Sequence, residues 1–295
     1  MTFLVATDLD RTMIYSRAAM DLDAAAARSE LRCVEIYDGA PLSFVTEAGA
    51  ALLQAVARTA ALVPTTTRTI EQFRRITLPG GPWRYAITSN GGNILVDGIP
   101  DAMWRSAIDD DTHRAGAGLE EITTELRSRI SDDWVRNFRV ADELFCYLVV
   151  DPATLPGDFQ AEWGAWCAAR GWNVSRQGRK IYTMPDAVSK SSAVAEVRRR
   201  LIADGSIAER SMTLAAGDGA LDADMLAAAD AAIRPRHGEL DALDWQHPRL
   251  TVTAGRGIAA GEEILRWFLR HADNDTVVPA VSGGSNPSTG ATARI

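Results

Sequence analysis

Four short stretches of this sequence carry side chains able to do chemistry together. DLDRT places Asp8 and Asp10 two residues apart, with Thr12 two further on, directly after the apolar run FLVA. VPTTTR ends another apolar run in Thr65, Thr66, Thr67 and Arg68. DAVSKSSAV has Lys190 at a helix start, and AAGDGALDADML puts Asp218 and Asp222 four apart. Ionised carboxylates this close repel one another and are costly to desolvate unless a cation or hydrogen bonds compensate. Asp8, Asp10 and Asp218 are oxygen donors of the kind a hard cation takes, and magnesium commonly holds one or two carboxylates with waters and phosphate oxygens. Lys190 adds a second positive charge. In such a set one carboxylate can attack phosphorus, giving an aspartyl phosphate. Another can protonate the leaving oxygen and later take a proton from water. Thr66 and Lys190 would hold the phosphoryl oxygens, where catalysis rests on positioning and charge neutralisation.

The elements around these stretches must bring them together. TFLVATD reads as a buried strand, apolar on both faces, as in a parallel sheet covered by helices. Residues 20–31 are Ala-rich and weakly helical, and CVEIYDG reads as an exposed or edge strand ending in a turn at Asp38-Gly39. A helix starts after Thr46 as N-cap, with Leu52, Leu53 and Val56 at helical spacing. ALVPTTTR and RYAITSNGG follow as strands. This alternation implies right-handed crossovers and an α/β parallel sheet, in which ligands sit beyond the carboxyl ends of the strands.

The middle of the chain reads differently. Residues 117–130 form an amphipathic helix with Leu119, Ile122, Leu126 and Ile130 on one stripe. WVRNFRV and LFCYLVVD are strands, a helix covers about Phe159–Ala169, and WNVSRQ and KIYTMP are two more strands. Helix-strand-strand thus occurs twice, an antiparallel α+β module set into the α/β chain. Afterwards SKSSAVAEVRRRLIADG is a helix, MTLAAGD a buried strand, ALDADMLAAA a helix, AAIRP a short strand and GIAAGEEILRWFLRHA a last helix. The expected division is an α/β core over 1–92 and 186–272, an inserted α+β cap over 93–185, and a flexible tail over 273–295, rich in Gly, Ser, Thr and Pro.

Bulk properties narrow the partners. The 295 residues are 46% hydrophobic and carry a formal net charge of −8, which argues against a general nucleic-acid or anionic-membrane binder but not against a small anionic ligand. Cys33, Cys146 and Cys167 are widely spaced and form no metal-binding pattern, which fits a reduced, cytoplasmic chain. The N-terminal apolar run is too short for a signal peptide, and no stretch approaches the roughly 18 apolar residues of a membrane span.

Together the four stretches resemble, in order, the four motifs of the haloacid-dehalogenase-like (HAD) hydrolase superfamily, over about residues 1–270. That resemblance implies a Rossmann-like core with Asp8 as nucleophile and Asp10 as general acid/base. It implies Mg2+ held by the Asp8 carboxylate, the Asp10 carbonyl and Asp218, with Asp222 supporting nearby. Thr66 matches the phosphate-binding hydroxyl of the second motif, with Thr65 the alternative and Thr12 a further hydroxyl, and Lys190 matches the third-motif lysine. SNGG, ahead of the inserted module, resembles the stretch preceding the cap in Cof-type and sucrose-phosphate-phosphatase-like members, where the cap selects substrate. The departures are Arg11 where many relatives have glycine, Thr67 within the usual TGR, and Gly219 and Leu221 within the usual GDSxND. Residues 13–45 also exceed the usual link after the first motif.

The resemblance implies a magnesium-dependent phosphatase for a small phosphorylated metabolite, with sugar phosphates as the leading class. The alternatives are a phosphomutase with the same nucleophile, or a silent binding module, which should have lost one of Asp8, Asp10, Lys190 or Asp218. Arg136, Arg139, Arg176, Arg179 and Lys180 are candidate substrate contacts from the cap. Trp163 and Trp166 read as cap core or helix surface, and His113, His237, His247 and His271 as structural or exposed. Oligomeric state is not legible.

Overall fold

A computed structural model describes residues 3–21 and 30–275. The weak helix expected over 20–31 lies largely outside those residues, as does the expected tail from 276 onward.

The chain starts with Leu4–Thr7 (β1), then Tyr15–Ser16 (β2), Leu31–Tyr37 (β3) and Ala40–Thr46 (β4). The last three pair antiparallel in the order β2-β4-β3, a flap beside the exit of β1. Glu47–Thr59 (α1) begins at Thr46, whose hydroxyl accepts the Gly49 N–H at 2.8 Å, the cap expected from sequence. Ala61–Pro64 (β5), Ile70–Arg74 (α2) and Tyr85–Thr88 (β6) follow, then Asn93–Val96 (β7) and Ile99–Pro100 (β8). Residues 93–96, read as the start of the inserted module, pair with β6 instead, and Ile94 packs in the core of the parallel sheet.

The inserted module comprises Ala102–Ala115 (α3), Leu119–Arg129 (α4), Val135–Ala141 (β9), Phe145–Val150 (β10), Phe159–Ala168 (α5), Trp172–Gln177 (β11) and Lys180–Pro185 (β12). Its antiparallel sheet runs β11-β12-β10-β9 and has its own apolar core around Trp163, Trp172, Phe145 and Leu148. The chain then returns as Lys190–Ala203 (α6), Thr213–Ala216 (β13), Ala223–Ala228 (α7), Ala231–Arg234 (β14), Glu239–Ala242 (α8), Leu250–Val252 (β15) and Gly257–Asp275 (α9). The last helix extends past residue 272, where the tail was expected to begin.

The central sheet is parallel, in the order β15-β14-β13-β1-β5, and a Thr65–Ile87 bridge sets β6 beside β5. Its strands alternate with period two. Val5, Leu214 and Ile233 face α1 and α9, whereas Leu4, Ala6, Ala215 and Ala232 face α6 and α7. Both faces are therefore covered, and every strand's carboxyl end opens on one edge. The architecture is α/β with an inserted α+β cap.

The SNGG turn sets the end of α6 against that edge. Ser89 and Asn90 have φ of 52° and 58°, and Gly91 has φ of 102°. A Cβ at Gly91 would lie 2.1 Å from the Ser189 carbonyl oxygen, one residue before Lys190. Gly91→Ala combines left-handed strain with a backbone clash. It should cost at least ~2 kcal/mol and lower the melting temperature by roughly 4–8 °C, as scanning calorimetry would show.

Candidate active site

Asp8 leaves β1 where its N–H donates to the Ala216 carbonyl at 2.8 Å, so the ladder with β13 brings Asp8 beside Asp218. Lys190, at the first position of α6, is almost wholly buried. Its Nζ donates to Asp8 Oδ1 at 2.7 Å and to Asp222 Oδ1 at 2.5 Å. Asp222 spends its other oxygen on the Gly219 N–H at 2.9 Å. Among the described residues, the cation paired with Asp218 is Arg11, Nε to Oδ2 at 3.6 Å. Gly238 (φ 91°) packs so close that a Cβ there would lie 2.5 Å from Asp218 Oδ2.

Asp8, Asp218 and Asp222 each offer an oxygen within 4.8 Å of the others, and all three are buried. Against three carboxylates stand one lysine and one half-exposed arginine. Burial, foremost, and the neighbouring carboxylates push Asp8 up to about 7, against the opposing pull of Lys190. Burial and the charges of Asp8 and Asp222 likewise raise Asp218 well above the usual carboxylate range. Burial opposes the charged Lys190 amine, yet Asp222 and Asp8 together hold it protonated. An excess of buried oxygen donors around a common point is what a hard divalent cation requires, so these residues fit one.

Asp10 stands apart from this group. Its carboxylate accepts from Arg68 twice, Nε to Oδ2 at 2.6 Å and Nη2 to Oδ1 at 2.7 Å. Arg68 Nη1 donates to Glu35 Oε1 at 2.7 Å. Glu35 is buried on the flap and has no role assigned from sequence. Thr65 donates its hydroxyl to the Val63 carbonyl, and Thr66 accepts the Arg68 N–H at 3.2 Å. Both are fully buried, as is Thr12, whose hydroxyl has no protein partner. Thr67, not Thr66, lines the adjoining cavity.

That cavity holds about 550 Å³ between the sheet edge, flap and cap. Its floor includes Asp8, Asp10, Lys190 and Asp218, and its roof includes Tyr147, Val149, Lys180 and Tyr182. Thr67 and Tyr182 both line it. Of the five cap cations singled out by sequence, Arg179 and Lys180 line the cavity. Arg136 instead pairs with Asp151, and Arg176 donates to the Gly178 carbonyl. Trp163 lies in the cap core, stacked on Trp166 at 5.0 Å. His237 is structural: Nδ1 accepts the Gly257 N–H, leaving Nε2 to donate to the Arg11 carbonyl at 2.7 Å. That bond helps fix the turn in which Arg11 has φ of 62°.

No family model matches the chain, and none of the curated proteins matches it by sequence. Solved structures do match it in shape. A sucrose-phosphatase from Synechocystis sp., in complex with sucrose and phosphate, superposes with a TM-score of 0.60 at 14% identity, covering 90% of this chain and 98% of the other. A trehalose-6-phosphate phosphatase related protein gives 0.53 at 16% identity, covering 92% and 99%. A phosphatase of the HAD superfamily from Bacteroides thetaiotaomicron gives 0.54 at 14% identity, covering 91% and 95%.

The raised carboxylates give a stability prediction. Asp8 and Asp218 bind protons in the folded chain at a pH where the unfolded chain has released them. Metal-free stability should therefore fall as pH rises from near 4 toward about 7. Asp218→Asn removes one such carboxylate, so in chelator at neutral pH it should raise stability by about 1 kcal/mol, or roughly 2–4 °C. A lower melting temperature for Asp218→Asn in chelator would contradict this account.

Proposed function

We propose, from a fold shared with phosphatases of the HAD type, that the chain is a phosphatase of small phosphomonoesters, with sugar phosphates as the leading substrate class, working through an aspartyl phosphate on Asp8. The observation that carries this reading is the buried Lys190–Asp8 contact at 2.7 Å, flanked by Asp218 and Asp222 at the carboxyl edge of the sheet. A lysine that buried, holding a carboxylate at the mouth of a cavity, orients an oxygen nucleophile and neutralises charge arriving beside it.

The Asp8 carboxylate attacks phosphorus while the ester oxygen departs and takes a proton from Asp10. Asp10 then accepts a proton from water as that water attacks the phosphorus. Inorganic phosphate leaves and the Asp8 carboxylate is restored. Lys190 stays protonated throughout and faces the phosphoryl oxygens. Asp8, Asp218 and the Asp10 carbonyl would hold Mg2+, with Asp222 supporting through its hold on Lys190. The ion supplies charge neutralisation for the phosphoryl group and for the carboxylates themselves. Thr66, Thr65 and Thr12 back the floor, and Thr67 presents a hydroxyl to the cavity.

Phosphate release from a panel of sugar phosphates, nucleotides and an aryl phosphate tests this reading. It should require added Mg2+, stop in chelator, and fall at least ~1,000-fold in Asp8→Asn. Release that persists unchanged in Asp8→Asn would show that another group is the nucleophile. Transfer to a second hydroxyl, dependent on a bisphosphate activator, would identify the phosphomutase alternative.

A further inference from the structure

We infer that Glu35, carried by the flap, is a positioning residue that acts through Arg68 to orient the Asp10 carboxylate, resting on the phosphatase reading above. Successive residues of a regular strand face opposite sides, yet Val34 and Glu35 are both buried. The register of β3 against β4 shifts on both sides of Glu35, and Glu35 forms an isolated bridge with Ile76. This irregularity turns the side chain inward, as a bulge re-aims a residue.

The buried Glu35 carboxylate is fully engaged. Ser43 Oγ donates to Oε2 at 2.6 Å, Arg68 Nη1 donates to Oε1 at 2.7 Å, and Arg75 Nε lies 3.6 Å from Oε1. Beyond it, Arg68 grips both oxygens of Asp10. All three guanidinium nitrogens of Arg68 are thus spent on protein carboxylates, Nε and Nη2 on Asp10 and Nη1 on Glu35. Arg68 lines the cavity with each of its three nitrogens held on a protein carboxylate, so Asp10 and Glu35 together fix the plane of its fork.

The fork is planar and rigid, so fixing one end fixes the other. Without Glu35 the guanidinium could rotate about its stem, and the Asp10 carboxylate, about half exposed, would turn with it. Small losses of alignment at a proton-transfer group are expensive in rate. The long segment between the first motif and α1 therefore has a purpose within the site: it delivers the buried anion that holds Arg68.

The test compares kcat and KM for an alkyl phosphate, whose leaving group needs a proton, and for 4-nitrophenyl phosphate, whose leaving group does not. Wild type, Glu35→Gln, Asp10→Asn and the double variant are measured with Mg2+. Glu35→Gln should lower kcat/KM at least tenfold for the alkyl ester, through kcat with KM nearly unchanged, and less than threefold for the aryl ester. It should add no further loss in the Asp10→Asn background. Ser43→Ala, which removes only the hydroxyl on Glu35, should show the same preference at smaller size. Where Glu35→Gln gives no cooperative melt, Arg68→Lys takes its place, keeping the charge but losing the fork. Equal losses on both esters, or additive losses in the double variant, would overturn the inference. Release that survives Asp8→Asn would overturn the phosphatase reading and this inference together, and that control tells the two failures apart.

Discussion

One buried ammonium holds this site in shape. Lys190 Nζ bridges Asp8, at the end of β1, and Asp222, at the turn into α7. Three carboxylates within a few ångströms in a buried place would otherwise drive their strand ends apart or take up protons. Because Lys190 begins α6, that helix must stop and start at a fixed place relative to both strands. The tight approach of Gly91 to Ser189 fixes where the helix begins, and the extended φ/ψ of Ser189 lets it turn in directly. Position along the chain is thereby converted into position of one positive charge.

The same constraint explains how the cap is tied to the core. Asp142 stands in the β9–β10 turn, yet its carboxylate accepts from the Ile70 N–H at 3.0 Å, from Ser89 Oγ and from Asn93 Nδ2. Arg105 in turn donates to the carbonyls of Asp142 and Glu143. The turn that sets Lys190 is therefore also the turn to which the cap is anchored. The position of the cavity roof and that of the lysine depend on the same few residues.

The sheet core and most elements were legible because their apolar runs have the periods of strands or helices and their ends carry recognisable caps and turns. The charged set was legible because its members stand at the ends of such runs or, as with Lys190, at the start of a helix. Glu35 was not, because a bulge breaks the period-two rule from which its facing would be read. Arg68 was visible as part of a motif, but its partner lies 33 residues away on a different sheet, and spacing carries no trace of such a contact. The assignment of 93–96 to the cap failed for a related reason. A short apolar stretch after a glycine turn reads equally well as the return arm of a hairpin or as the start of a new module.

Alternation also decides what the cap can contribute. On β12, Lys180 and Tyr182 face the cavity, whereas Ile181 and Thr183 are buried on the cap's inner side, where Thr183 accepts from Trp163 Nε1 at 2.8 Å. On β10, Tyr147 and Val149 face the cavity while Leu148 packs inward. The roof is thus largely aromatic and aliphatic, with Gln177, Arg179 and Lys180 at its polar side, opposite a floor crowded with charge. Burial pushes the Lys180 amine below its ordinary range, and its ring neighbour Tyr147, 5.4 Å away, is no ion-pair partner. On the phosphatase reading, the floor with Lys190 and a cation on its carboxylates takes the phosphoryl group. The flat apolar faces and the few donors of the roof would then meet the remainder of the ester, whose shape differs from one substrate to the next. A one-residue slip in β12 would turn Ile181 and Thr183 toward the cavity in place of Lys180 and Tyr182. The lining of this cavity therefore rests on strand register as much as on residue identity.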